Sequence, residues 1–140
     1  MFRTVCMVVI LATLMAGTVL AESYNYVKPE TMKTWLETKK PVIVVDIQVP
    51  AEFAKRHLPG SVETNAFPVK SDEEKKRLEN VLATIGSSRD DVVIVCPRGG
   101  GGAKNTYEYL KSKGVDEKRM YILEKGIEGW PYPQMCATGR

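Results

Sequence analysis

Two short runs of β-branched residues constrain the fold of this chain most strongly. Residues 42–45 (Val-Ile-Val-Val) and residues 92–95 (Val-Val-Ile-Val) each contain four apolar residues and no polar one. A strand with one solvated face alternates apolar and polar residues, so these unbroken runs predict strands that are buried on both faces, as in a parallel sheet. Such a sheet requires helices on both of its faces, which the neighbouring segments must supply.

The segments around these runs show helical signals. There are four such segments. Pro29 begins the first, at a helix position that needs no amide donor, and Ser71 and Glu74 form a capping box at the start of the third. The pattern predicts helices over residues 29–38, 50–57, 71–86 and 103–113, and a last strand over residues 120–123. We therefore predict an α/β fold with a central, mainly parallel sheet of about five strands, helices on both faces, and a single domain over residues 22–140.

The first 21 residues differ in composition from the rest of the chain. Arg3 is followed by an apolar stretch with no charge before Glu22, and Val19 and Ala21 are the small residues just ahead of it. This is the pattern of a secretory signal peptide that is cleaved after Ala21. A retained anchor is the alternative, but the stretch falls short of the roughly 20 residues that a span needs. We expect an exported protein, periplasmic in a Gram-negative source, with no stable membrane anchor after cleavage.

Removal of this leader leaves 119 residues, a formal net charge of +2 and two cysteines, Cys96 and Cys136. Cys136 lies in a Pro-rich tail that we expect to be mobile, and we favour no essential role for it. A disulfide with Cys96, a link between two chains or a free thiol all remain open, because disulfides persist after export. The balanced charge, without a basic run interleaved with aromatics, excludes nucleic acid as the expected partner.

Cys96 follows the second β-branched run and precedes a glycine-rich loop. Ligands of parallel α/β sheets bind outside the carboxyl ends of the strands, which is where Cys96 falls. The residues after it that are expected to bind an anion are Arg98, Gly99, Gly100, Gly101, Gly102, Ala103 and Lys104. Glycine amides that turn inward form an anion-binding nest, and the following helix adds the positive end of its dipole. These features favour a nucleophilic thiolate at Cys96, although a buried structural thiol is the simpler alternative.

The glycine run does not indicate a nucleotide site. A phosphate-binding loop ends in Gly-Lys-Ser/Thr, whereas Gly102 is followed by Ala103, Lys104 and Asn105.

Three other polar residues are interpreted as structural. His57 is the only histidine, and we expect it to orient the turn at Pro59 and Gly60, because a lone histidine lacks the partners of a metal site. Asp46 and Glu52 are expected to be scaffold carboxylates that hydrogen-bond to loop amides. Trp130 is expected to be a packing anchor.

Four segments, in this order, resemble the rhodanese-like domain family. They are residues 44–47 with 52–53, residues 56–61 (Arg-His-Leu-Pro-Gly-Ser), residues 93–104 and residues 123–130. The resemblance implies a sulfurtransferase in which Cys96 takes sulfane sulfur from a small anionic donor and holds it as a persulfide. The sulfur then passes to a thiophilic acceptor, which is a thiol, cyanide or an acceptor protein. The resemblance also implies no metal and no organic cofactor.

The chain departs from this family in three respects, two of them single residues and one the length of the loop. Family loops commonly carry an arginine five residues after the cysteine, where Gly101 stands here, and Gln48 replaces an arginine that supports the fold by an ion pair. The loop is also one residue longer than in the commonest sulfurtransferases of the family. Related cell-cycle phosphatases and arsenate reductases have a loop of this length, and their arginine would fall at Gly102. Without an arginine at that position, phosphate-ester hydrolysis lacks the bidentate guanidinium that would bind the transferring group. An oxyanion-processing cysteine enzyme and a catalytically silent binding module are the alternatives.

The missing arginine also leaves the sulfur donor open. Thiosulfate would have to be bound by Arg98 and Lys104 instead, and polysulfide or another persulfide is the alternative donor.

Overall fold

A five-stranded parallel sheet organises residues 23–140, the part of the chain that the computed structural model describes. The strands are β1 (Tyr26–Val27), β2 (Val42–Asp46), β3 (Val62–Glu63), β4 (Asp91–Val95) and β5 (Met120–Leu123). Their order is β1-β5-β4-β2-β3, and all neighbouring pairs are parallel. The predicted α/β fold is therefore confirmed. The predicted signal peptide lies outside the described residues.

Five helices accompany the sheet in this part of the chain. They are α1 (Pro29–Glu37), α2 (Pro50–Lys55), α3 (Asp72–Lys76), α4 (Glu79–Gly86) and α5 (Gly101–Ser112), with 3₁₀ turns at Glu117–Arg119 and Pro133–Met135. Within residues 23–140, none of the helices is both long enough and apolar enough to span a bilayer.

Two apolar clusters cover the two faces of the sheet. On one face, Val45 of β2 and Ile94 of β4 pack with side chains from α4 and α5. On the other, Val44 and Val93 pack with α1 and with the segment that follows β5, including Trp130, which is a packing anchor as expected. The β-branched runs are thus buried on both faces, which explains why neither contains a polar residue.

The helix predicted over residues 71–86 is two helices. The amides of Arg77 and Leu78 reach back three residues, to the carbonyls of Glu74 and Lys75, and this tightens the chain between α3 and α4. The Arg77 guanidinium donates to the Asn65 carbonyl at 2.8 Å, and Leu78 is completely buried. The prediction of one continuous helix was wrong because these long-range contacts favour a turn at this point.

The C-terminal segment is docked, so the prediction of a mobile tail was wrong. His57 and Ala137 exchange both backbone hydrogen bonds, at 3.0 and 2.8 Å, in an isolated antiparallel bridge. Arg140 forms an ion pair with Glu63 at 2.6 Å. The same bridge explains why α2 ends at Lys55 rather than at the predicted residue 57, because the chain must be extended to pair with the tail.

Candidate active site

Cys96 lies at the carboxyl end of the central strand, β4. Only 2% of the residue is exposed, and its Sγ accepts a hydrogen bond from the backbone N–H of Gly99 at 2.9 Å. This bond is possible because Gly99 has a φ of +73°, a conformation that residues with a Cβ rarely adopt. The chain therefore turns its own backbone donor back onto the thiol.

The turn that follows β5 holds this loop in place. The N–H groups of Ile127 and Glu128 donate to the carbonyls of Cys96 and Pro97, both at 2.9 Å. Gly126 has a φ of +62°, and a Cβ there would lie against the Cys96 carbonyl and 2.6 Å from the Arg98 nitrogen. The two backbones approach so closely that only glycine fits at this position.

The four consecutive glycines occupy different environments. A Cβ on Gly102 would lie 2.8 Å from the Phe67 ring, whereas a Cβ on Gly100 or Gly101 would meet nothing within 4 Å. Helix α5 begins at Gly101, two residues before the predicted start, so the irregular loop is limited to residues 97–100. The first amides of a helix have no partner in a preceding turn, and together with the dipole they form an anion-binding end.

A cavity of about 200 Å³ opens next to Cys96. Its lining residues are Phe67, Pro68, Lys70, Cys96, Pro97, Arg98, Gly100, Gly101 and Gly102. Lys70 is a member of this set that the sequence analysis missed, because it lies far from Cys96 along the chain and in no recognisable motif. It follows Val69, which has a φ of +60°, an unusual conformation for a β-branched residue.

The two cations that the sequence places after Cys96 are arranged differently. Arg98 lines the cavity but is largely exposed, and its guanidinium lies 3.9 Å from the Glu128 carboxylate. The Nζ of Lys104 lies 5.7 Å from the centroid of the Tyr24 ring, and Lys104 is not among the residues that line the cavity. Among the described residues, the cations beside the cavity are therefore Lys70 and Arg98.

Asp46 lies at the end of β2, directly beside the end of β4, and is completely buried. Its two carboxylate oxygens accept from the backbone N–H and the side-chain amide of Gln48, at 2.8 and 2.9 Å. Gln48 also donates to the Arg56 carbonyl at 3.1 Å, so a neutral amide replaces the ion pair of the family pattern. Burial raises the pKa of Asp46 to about 6, and the hydrogen bonds from Gln48 offset this only in part.

The expected roles of the other scaffold residues have different outcomes. Asp46 does bond to a loop amide, but Glu52 does not: it lies on the exposed side of α2 and pairs with Lys55 at 3.1 Å. His57 stacks on Phe53, with ring centroids 3.9 Å apart, and its Nδ1 lies 2.9 Å from the Phe53 carbonyl.

Residues 23–140 contain no group of three or more His, Cys, Asp or Glu side chains that could hold a metal ion.

Cys136 is a second free thiol, half-buried against the apolar cluster that contains Trp130. Burial raises the pKa of the Cys136 thiol, and the nearby charge of Arg56 acts in the opposite direction. Cys96 is also a free thiol.

Solved structures share this fold at low sequence identity. A rhodanese-like domain protein from Staphylococcus aureus is 22% identical with a TM-score of 0.58, over 83% of this chain and 99% of that chain. The As-Sb reductase from Leishmania major is 17% identical with a TM-score of 0.62, over 83% and 86%. Thiosulfate sulfurtransferase from Pseudomonas aeruginosa is 16% identical with a TM-score of 0.60, over 84% of this chain and 21% of that chain.

The sequence itself identifies the family. No curated protein matches it, but the family profile described as the rhodanese-like domain matches residues 28–131. The matched range contains strands β2 to β5, Cys96 and its loop, and the turn that holds the loop. The chain therefore belongs to the rhodanese-like domain family.

Proposed function

We propose that this protein is a sulfurtransferase or sulfane-sulfur carrier that holds sulfur as a persulfide on Cys96. The observation that carries the proposal is the Gly99 N–H that donates to the Cys96 sulfur at 2.9 Å, next to a cavity that Gly100, Gly101 and Gly102 line. A donor aimed at a thiol stabilises the thiolate, and the thiolate is the nucleophile. Because the donors are backbone groups, they are fixed before any substrate binds.

The reaction needs no acid–base pair. The Cys96 thiolate attacks the terminal sulfane sulfur of the donor, the S–S bond of the donor breaks, and the remainder leaves with the bonding electron pair. With thiosulfate the leaving group is sulfite, and with a polysulfide it is a chain one sulfur shorter. An acceptor thiolate or cyanide then attacks the outer sulfur and releases the Cys96 thiolate.

The cavity supports a persulfide intermediate. Its volume of about 200 Å³ is ample for one additional sulfur atom, and the start of α5 and the side chain of Lys70 add positive potential at its wall. We propose polysulfide or an organic persulfide as the donor in preference to thiosulfate, since no arginine stands at position 101 or 102 to bind a sulfonate.

An oxyanion-processing enzyme is the second candidate, because the As-Sb reductase of Leishmania major shares the fold. Phosphoryl or arsenate chemistry depends on a bidentate guanidinium at the transferring group. In the described part of this chain, Arg98 is the arginine at the cavity, and its guanidinium lies beside Glu128. This arrangement favours sulfur transfer over oxyanion chemistry.

Intact-mass spectrometry of the purified protein tests the proposal. After treatment with polysulfide or thiosulfate, the wild type should gain one sulfur atom, Cys136→Ser should keep the gain, and Cys96→Ser should lose it. The absence of a gain with every donor would contradict sulfur transfer. Turnover of arsenate or an aryl phosphate that disappears in Cys96→Ser would favour the second candidate. An alkylation rate of Cys96 no faster than that of a free thiol would favour a silent binding module.

We also propose that the protein is exported and that residues 1–21 are removed. The charged start, the apolar stretch and the small residues before Glu22 support this. Mass spectrometry of the protein recovered from the periplasm or medium should give a chain that begins at Glu22. A full-length chain in the membrane fraction would contradict cleavage.

A further inference from the structure

A larger cavity adjoins the one at Cys96. It has a volume of about 510 Å³, and Lys70 lines both cavities. We refer to it as the lysine groove, which is lined by Val69, Lys70, Lys75, Asn105, Glu108, Tyr109 and Ser112. One wall is the surface of α5, and the other is the segment that runs from Val69 into α3. A molecule in the groove could therefore extend past Lys70 toward the Cys96 sulfur.

Hydrogen bonds fix both walls of the groove. The Asn105 side-chain amide donates to the Pro68 carbonyl at 3.2 Å, which joins α5 to the segment before Lys70. The Glu74 carboxylate accepts the backbone N–H groups of Lys70 and Ser71, both at 3.0 Å. The groove is therefore formed before a ligand arrives, as binding sites for small molecules usually are.

The charges in the groove are available to a ligand. Within residues 23–140, Lys70, Lys75 and Glu108 take part in none of the ion pairs. Glu74, which directly precedes Lys75 in the chain, accepts hydrogen bonds from backbone amides instead. The groove thus presents two ammonium groups and one carboxylate, and it complements a molecule that carries two carboxylates and one ammonium.

We propose that the lysine groove binds the organic body of a peptide-like, low-molecular-weight thiol whose persulfide is the sulfur donor. This inference rests on the proposed function, because it names the substrate class of that same site. A volume of about 510 Å³ lies in the range of small-molecule pockets, whereas an inorganic donor needs only the cavity at Cys96.

The transfer step balances without a further reactant. The Cys96 thiolate attacks the outer sulfur of the donor R–S–SH, the S–S bond breaks, and R–S⁻ leaves with the electron pair while Cys96 becomes the persulfide. The sulfane sulfur moves with no net oxidation or reduction. The reverse reaction uses the same groove, so the free thiol R–SH is also an acceptor.

A competition between donors of equal charge tests the groove. Glutathione persulfide and inorganic polysulfide both carry a net charge of about −2 near neutral pH, so general attraction to the protein affects both alike. We expect Lys75→Glu to lower the ratio of the two Cys96 persulfidation rates, peptide over inorganic, at least fivefold. Lys76→Glu makes the same charge change on an α3 residue outside the groove and should leave the ratio within twofold. An unchanged ratio in Lys75→Glu would overturn the proposal.

A binding measurement separates this inference from the proposed function. S-methylglutathione cannot donate sulfur, so its affinity for the Cys96→Ser protein, measured by calorimetry, reports the groove alone. We expect saturable binding that Lys75→Glu weakens at least fivefold and Lys76→Glu weakens less than twofold. Binding without any sulfur gain in the wild type would remove the proposed function but keep the site. Sulfur gain without binding would remove the groove and keep sulfur transfer.

Discussion

Cys96 and Cys136 are two free thiols in one small protein, and their surroundings differ in kind. Cys96 ends the central strand, and the Gly99 N–H donates to its sulfur at 2.9 Å beside a cavity. Cys136 is half-buried in the docked C-terminal segment, where burial raises the pKa of its thiol. Burial alone favours the neutral thiol, so a buried thiolate needs donors that replace water.

The two thiols therefore differ in the backbone donor that reaches the sulfur, and the proposed function assigns the reactive role to Cys96. The donor at Cys96 is the backbone N–H of Gly99, which the positive φ of this glycine turns toward the sulfur, and the turn after β5 holds the loop in position. No side chain takes part in this hydrogen bond, so it does not depend on an arginine in the loop. The following predictions alter one region at a time, from the largest expected effect to the smallest.

Gly126→Ala should break the Cys96 region. Its Cβ would lie against the Cys96 carbonyl and 2.6 Å from the Arg98 nitrogen, at a φ of +62°. We expect a loss of at least about 3 kcal/mol in the free energy of unfolding, measured by chemical denaturation, together with slower sulfur loading of Cys96. Gly101→Ala is the matched control, since its Cβ meets nothing within 4 Å. A Gly126→Ala protein as stable as this control would contradict the described packing.

Asp46 adds a carboxylate to the comparison of the two thiols. It is buried, and the groups that donate hydrogen bonds to it are neutral. Its pKa is raised from 3.8 to about 6, so above pH 6 the ionised group costs about 3 kcal/mol, and this cost disappears as the pH falls from 6 to 4. We therefore expect the wild type to gain about 3 kcal/mol of stability relative to Asp46→Asn as the pH falls from 8 to 4. The free energy of unfolding of the variant minus that of the wild type should decrease accordingly. Subtracting the wild type from the variant removes the contributions of Glu63 and Glu74, which are common to both proteins. These contributions have the opposite sign, because hydrogen bonds lower the pKa values of both carboxyls. A difference that is constant with pH would contradict the assignment.

Gly101→Arg should sharpen the comparison by adding a side-chain donor to the Cys96 loop. Position 101 is open to a side chain and lines the cavity at Cys96. We expect sulfur loading from thiosulfate to become about tenfold faster, as one charge-assisted hydrogen bond to the sulfonate allows. Gly101→Ala changes the backbone in the same way without adding a charge and serves as the control. Equal rates in both variants would show that the loop does not direct residue 101 to the donor.

Cys136→Ser should have the smallest effect. Its thiol lies in a separate region and its raised pKa keeps it neutral near pH 7. We expect the rate of sulfur loading, followed by intact mass, to change less than twofold. A tenfold decrease would show instead that Cys136 acts on the Cys96 persulfide.

Much of the fold could be predicted from the sequence because its interior strands are buried on both faces. The runs at β2 and β4 and the strand at β5 have no polar alternation, and this pattern is typical of a parallel sheet. Strands β1 and β3 were missed because two residues show no periodicity. The break between α3 and α4 was missed because it depends on Arg77 reaching a carbonyl from a distant segment.

The candidate site was predictable in its backbone and less so in its charges. The position of Cys96 and its glycines follows from one stretch of sequence. The placement of Lys104 depends on Tyr24, and the place of Lys70 at the cavity depends on the turn at Val69. Such contacts join segments that are far apart in the chain, so local patterns do not contain them.

Site-resolved mass spectrometry tests the central claim most directly, because each molecule contains both thiols. The wild-type protein is treated with limiting polysulfide at pH 7, free thiols are blocked, and the peptides that contain Cys96 and Cys136 are compared. We predict that the added sulfur lies on Cys96, with at least tenfold less on Cys136. Equal loading of the two cysteines, or loading of Cys136 alone, would contradict the claim that the glycine loop makes Cys96 the reactive thiol.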